Sequence, residues 1–155
     1  MNSTELSQIL TETVANVLEE AVYALVDREQ EFCDDDTVVV ESLVAFSGTY
    51  TGTIALEVEA TGVLPLINDF LGCDSADPLS NPNSEAMGEF ANIVAGRLLE
   101  AWLPGETNYD IGIPSVETRK HSETRLVNEP HVCVAKLRTD SGTHVAAAIL
   151  LGVWS

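Results

Sequence analysis

The strongest constraint on this chain's fold is a change of hydrophobic period. Leu6, Ile9, Leu10, Thr13, Val14, Val17, Leu18, Ala21 and Leu25 recur at helical spacing, while Glu12, Glu19 and Glu20 lie mostly off that face. This pattern predicts an amphipathic helix from Thr4 to Asp27. Asp34-Asp35-Asp36 breaks it, and the period then changes. Thr37 to Phe46 is rich in β-branched residues, and Thr53 to Val58 sets Ile54, Leu56 and Val58 against Thr53, Ala55 and Glu57. With the glycine-containing turn Ser47 to Gly52 between them, these two segments read as an antiparallel hairpin with one solvated face.

The remainder repeats that order loosely. Gly62 to Leu71 reads as a short apolar helix, with Pro65 in an early turn. A polar loop from Gly72 to Asn83 contains Pro78 and Pro82. Asn83 or Ser84 is placed to cap a helix running from about Glu85 to Leu103, which Pro104-Gly105 ends. Ile111, Ile113 and Val116 suggest a strand interrupted at Pro114. His131 to Leu137 and Thr143 to Trp154 read as strands joined at Asp140-Ser141-Gly142. The expected fold is α+β: an antiparallel sheet with long helices packed on one face, built from two pseudo-related halves. All of residues 1–155 are expected to form one domain.

The 155 residues carry a formal net charge of −18, with only 7 Lys and Arg. A phosphate backbone would be repelled, so nucleic acid is not an expected partner. An anionic membrane surface is disfavoured for the same reason, whereas a partner with a basic patch would be drawn in. The N-terminus has no basic region leading into an apolar stretch, and the apolar run Val145 to Trp154 is too short to span a bilayer. Cys33, Cys73 and Cys133 are widely spaced and include no Cys-x-x-Cys pair, so neither a zinc site nor a disulfide framework is expected. Reduced thiols in a cytoplasmic setting are the expected state. His121, His131 and His144 show no ligand spacing and are expected at surface or edge positions. Ser47 precedes a hairpin rather than a helix, so it is no nucleophile elbow.

The helix from Glu85 to Leu103 holds the candidate site. At 100° per residue, Met87, Phe90, Val94, Leu98 and Ala101 form a core stripe, and Glu85, Glu89, Asn92, Gly96 and Leu99 line the other side. Glu89 and Asn92 stand three residues apart, so their side chains share one patch. Gly96 leaves a bare spot one turn further on. A glycine inside a helix costs about 1 kcal/mol against alanine, and either close packing within the chain or close approach of a partner would offset it.

Glu89, Asn92 and, after 21 intervening residues, Pro114 resemble the motif of the CheX, CheC and FliY family of chemotaxis phosphatases. In that motif an Asp or Ser is followed after three residues by Glu, after two more by Asn, and about 21 residues later by Pro. The Asn92-Ile93-Val94-Ala95-Gly96 run, Gly112 before Pro114, and Phe46-Ser47-Gly48 with Gly52 agree with it. Two positions depart. Glu85 stands where the family has Asp or Ser. On the first helix Glu12 is followed at the third position by Ala15, with Asn16 one place late, so one site per chain is expected, as in the CheX type.

The resemblance implies a phosphatase acting on the aspartyl phosphate of a CheY-like response regulator. It implies that Asn92 orients the attacking water and that Glu89 docks a lysine of the regulator, with Glu85, Ile93, Gly96 and Pro114 in partner contact. No cofactor is expected on this chain, because Mg2+ belongs to the partner receiver domain. A homodimer joined through the sheet is also implied, with Thr143 to Trp154 as a candidate edge. Two other readings stay open. One is a non-catalytic module that binds a receiver or a flagellar-switch partner; the other is an unrelated small-molecule-binding domain.

Overall fold

Helix α1 spans Ser3–Val22 and opens on a capping interaction. The Asn2 carboxamide oxygen accepts the Glu5 backbone N–H at 2.8 Å, satisfying one of the amides that a helix start leaves unpaired. Leu10, Val14, Val17 and Leu18 are fully buried along its inner face, each stabilising the fold by about 1.5–3 kcal/mol relative to exposure. The helix ends before the expected Asp27. Leu25 is 68% exposed, and its carbonyl accepts the Asp140 N–H at 2.8 Å. The chain leaves the helix there to form a short strand, β1 (Val26–Arg28).

The computed structural model describes residues 2–22, 24–28, 31–71, 81–105 and 108–151. Strands β2 (Val38–Ser47) and β3 (Gly52–Glu59) form the expected hairpin, followed by α2 (Ala60–Leu71). That helix starts two residues before the expected Gly62, so Pro65 falls in its second turn. Helix α3 spans Asn81–Trp102. Asn83 and Ser84 therefore lie inside its first turn rather than capping it, and Pro82 sits beside the start, where its missing N–H costs nothing. The expected loop over residues 72–80 lies outside the described residues.

The interrupted strand resolves into β4 (Asp110–Ile111) and β5 (Ser115–Lys120), with Pro114 in the gap. A 3-10 turn at His121–Glu123 and the short helix α4 (Arg125–Asn128) follow, then β6 (Cys133–Thr139) and β7 (His144–Leu151).

All pairings are antiparallel, in the order β1-β6-β7-β3-β2-β4, with β5 also on β2. The β3–β7 pair is central, and the halves mirror each other around it. Each half runs helix, short edge strand, hairpin. Each half's edge strand lies beside the other half's hairpin, β1 on β6 and β4–β5 on β2. Because β7 is interior, Thr143 to Trp154 is not an edge within its described residues; the outer strands are β1 and β4–β5. The main core fills the space between the sheet and α1, α2 and α3.

The far face of the sheet is not left to solvent as the alternation suggested. Ala55 and Glu57 on β3 are buried. Leu126 of α4 packs with Ala55, Ala146, Ala148 and Leu150 there, with Phe32 at the margin. Among the described residues, no helix is long and apolar enough to cross a membrane.

Candidate functional site

Helix α3 is wedged between α1 on one side and strands β2 and β5 on the other. Two flanks mean two buried stripes. Met87, Phe90, Val94 and Leu98 are buried as expected, and so are Ala86, Ala91, Ala95, Leu99 and Trp102. Leu99, expected on the open side, is wholly enclosed, while Ala101, expected in the core, is exposed. The free surface is thus a narrow strip. Glu85 and Glu89 are exposed on it, Asn92, Ile93 and Gly96 are half-buried, and Arg97 and Glu100 are exposed beyond.

Two glycines shape this strip, in opposite ways. A Cβ built on Gly96 meets nothing within 4 Å, so close packing inside the chain does not account for it. A Cβ on Gly88 would lie 3.1 Å from Pro114 Cγ and 3.8 Å from Val116 Cγ2. Gly88 is the residue that lets the loop before β5 press onto α3. Gly112 anchors that loop by donating its N–H to the Ala45 carbonyl at 2.8 Å. Pro114 is thereby fixed against α3 at Gly88, the residue before Glu89. Between the two anchors Ile113 stands 94% exposed, an apolar knob at the rim. Neither Gly88 nor Ile113 stood out from the sequence, where Ile113 reads as a strand residue and Gly88 carries no pattern.

The chemistry of the strip is acidic carboxylates beside one carboxamide. Asn92 Oδ1 is buried and finds no hydrogen-bond partner among the described residues. A half-turn of the amide exchanges its acceptor and donor ends. Arg97, the one basic residue of α3, is paired with Glu20 of α1 across exposed surface, a contact that adds little stability. Ile93 is partly packed against the main core, so only part of it is available to a partner. The structure therefore gathers Glu85, Glu89, Asn92 and Gly96 on one strip of α3, with Ile93 at its inner margin and Pro114 against Gly88 at its flank.

Among the described residues, the other cluster of functional groups lies on the opposite face of the sheet. His121 is buried rather than at the surface, and its Nδ1 sits 2.5 Å from Glu57 Oε1. Burial holds the Glu57 carboxyl above the usual carboxylate range, with the His121 charge opposing that rise. The Cys33 thiol is pushed up to about 11, first by burial and then by the Glu57 charge. Burial likewise raises Cys133, on β6, to about 11. Neither thiol is an activated nucleophile at neutral pH.

This architecture, an antiparallel sheet backed by helices, is shared with several bacterial chemotaxis proteins of known structure. A CheX from Desulfovibrio desulfuricans is 21% identical with a TM-score of 0.69, covering 96% of this chain and 99% of its own. A CheX from Vibrio vulnificus is 16% identical with a TM-score of 0.72, covering 96% and 99%. A Borrelia burgdorferi structure, a CheX-CheY-BeF3-Mg2+ complex, contains a chain 15% identical with a TM-score of 0.66, covering 94% and 97%. At these identities the likeness is one of fold. No curated protein sequence matches the chain. The family model described as chemotaxis phosphatase CheX matches residues 40–136, and the chain belongs to that family.

Proposed function

We propose that this chain is a phosphatase for the aspartyl phosphate of a CheY-like response regulator. The observation that carries the reading is exposed Glu89 and half-buried Asn92 three residues apart on α3, in a chain of the CheX family. Support for the partner comes from the Borrelia burgdorferi complex, in which a protein of this fold is held with CheY, BeF3 and Mg2+. Asn92 orients the attacking water through its carboxamide, which offers both a donor and an acceptor. It acts by positioning, as suits an already reactive acyl phosphate. Glu89 receives a lysine of the regulator and sets the register. Glu85, Ile93, Gly96 and Pro114 form the surrounding contact, and Mg2+ is carried by the regulator.

Incubating the protein with phosphorylated receiver domains and Mg2+ and following phosphate release tests this. Asn92→Ala is expected to abolish the acceleration while the circular-dichroism spectrum is unchanged. Undiminished release by that variant would sink the proposal. The second reading, a receiver-binding module without catalysis, rests on Glu85 standing where the family has Asp or Ser. It predicts receiver binding with no faster loss of phosphate. Among the described strands, a homodimer joined edge to edge would use β1 with the part of β6 beyond it, or β4–β5, because β7 is interior.

A further inference from the structure

On the far face of the sheet one cross-strand row places Ala146, Glu57, Glu41 and Glu117 side by side. Like charges directly opposite each other on neighbouring strands destabilise a sheet, so each acid needs an answer. Glu117 is exposed and paired with Arg119. Glu41 is buried but fully engaged. Its Oε1 accepts from Arg119 Nε at 3.2 Å, and its Oε2 accepts the Arg125 backbone N–H at 2.7 Å. Glu57 is the exception. It is 3% exposed and lies against His121 with the Thr124 hydroxyl nearby, yet its Oε2 and the His121 Nδ1 have no geometrically sound hydrogen bond. Buried polar atoms in that state are costly unless something else satisfies them.

A third group points at the same spot. Cys33 Sγ, a Glu57 oxygen and a His121 ring nitrogen all lie within 4.8 Å of one another. Ala146 stands opposite Glu57, and a small cavity of about 10 Å³ lies alongside, bordered by Phe32, Cys33, Glu57 and Ala146 but not by His121. That is space for one small particle. Lys136, which also borders the cavity, holds its ammonium 4.5 Å over the Phe32 ring.

We propose that Cys33, Glu57 and His121 form a binding site for a zinc-like divalent cation, with its fourth position open to water. The donor set of one sulfur, one nitrogen and one oxygen suits a borderline-soft ion rather than Mg2+ or Ca2+. Metal–ligand lengths of about 2.0–2.3 Å would set the three donors roughly 3.5 Å apart. Reaching that draws Cys33 inward by about an ångström and opens the 2.5 Å contact of His121 Nδ1 with Glu57 Oε1 by a similar amount. Cys33 can make its shift, because it lies on the connection before β2 rather than in a helix or strand. Cys33 binds as the thiolate and releases its proton to solvent. The ion would join the approach to β2, strand β3 and the turn after β5 into one unit. Spacing in the sequence hides the site because each ligand comes from a separate element.

The test uses the full chain freed of metal with a chelator. Titrated with Co2+, it should develop a thiolate-to-cobalt charge-transfer band that saturates at one equivalent. Calorimetry with Zn2+ should give the same stoichiometry, and melting should shift upward. Cys33→Ser is only partly buried and keeps the fold, and it should lose the band and weaken zinc binding by about 100-fold or more. Glu57→Gln should weaken binding comparably, and Cys73→Ser should leave both readouts unchanged. Absence of the cobalt band in the parent protein, or a band that survives Cys33→Ser, overturns the proposal.

Discussion

Gly96→Ala separates a glycine kept for a partner from one kept by the fold. Its new methyl meets nothing within 4 Å, so it creates no clash. The gain is the difference in helix propensity, about 0.5–1 kcal/mol. For a chain of this size that raises the melting temperature by about 1–4 °C. Gly88→Ala is the internal control. It has the same intrinsic gain, but its methyl sits 3.1 Å from Pro114 Cγ, and the strain of moving the loop offsets that gain. Differential scanning calorimetry should therefore rank Gly96→Ala above Gly88→Ala. A second substitution tests what the bare spot is for. Gly96→Gln keeps a good helix former but fills the approach. It should melt no lower than the parent while receiver dephosphorylation, measured as kcat/KM, falls about tenfold, or about 1.4 kcal/mol. A lower melting point for Gly96→Ala would refute the open-space argument. Undiminished kcat/KM in Gly96→Gln would show that no partner comes close there.

Ile113→Asp should leave thermal stability within about 0.5 kcal/mol of the parent, because the side chain is 94% exposed. It should weaken receiver binding measured by fluorescence anisotropy, and unaltered affinity would remove Ile113 from the contact. Glu57→Gln, compared with the parent in chelator, should change the pH profile of urea unfolding. The folded-state carboxyl titrates above 4.5, so as pH rises past that value the unfolded chain ionises first and the parent loses stability. The loss stops above the folded value, and the glutamine variant lacks it. A stability difference between the two proteins that stays constant with pH would contradict this.

Local patterning announced most of the elements but not their neighbours. The hairpins and α3 could be read because alternation and helical period are short-range signals. Leu99 and Ala101 were misplaced for a geometric reason. A wheel assumes one buried side, whereas α3 touches both α1 and the sheet. Leu25 continued the apolar period of α1, and nothing local marked Val26–Arg28 as a strand whose partner, β6, lies far along the chain. The burial of His121 was equally hidden, since its neighbours Lys120 and Ser122 are polar and the groups that meet it, Glu57 and Phe32, come from other elements. At the candidate site, Glu89 and Asn92 were readable from their spacing. The contact between Gly88 and Pro114 that sets the loop beside them was not.

The exchange of edge strands between the halves also bears on how the chain folds. Neither helix-and-hairpin unit can complete its own sheet margin, because β1 must wait for β6 and β4–β5 must find β2. The central β3–β7 ladder likewise joins segments from the two halves of the sequence, pairing Gly52 with Leu151 and Val58 with Val145. Such a topology has high contact order, and the entropy of closing long loops is lost before distant pairings repay it. Folding should be slow for a chain of this length, and neither half should persist alone. An ancestral half with this layout would have needed a second copy to supply its missing margins, so the present chain resembles a dimer whose two members became covalently joined.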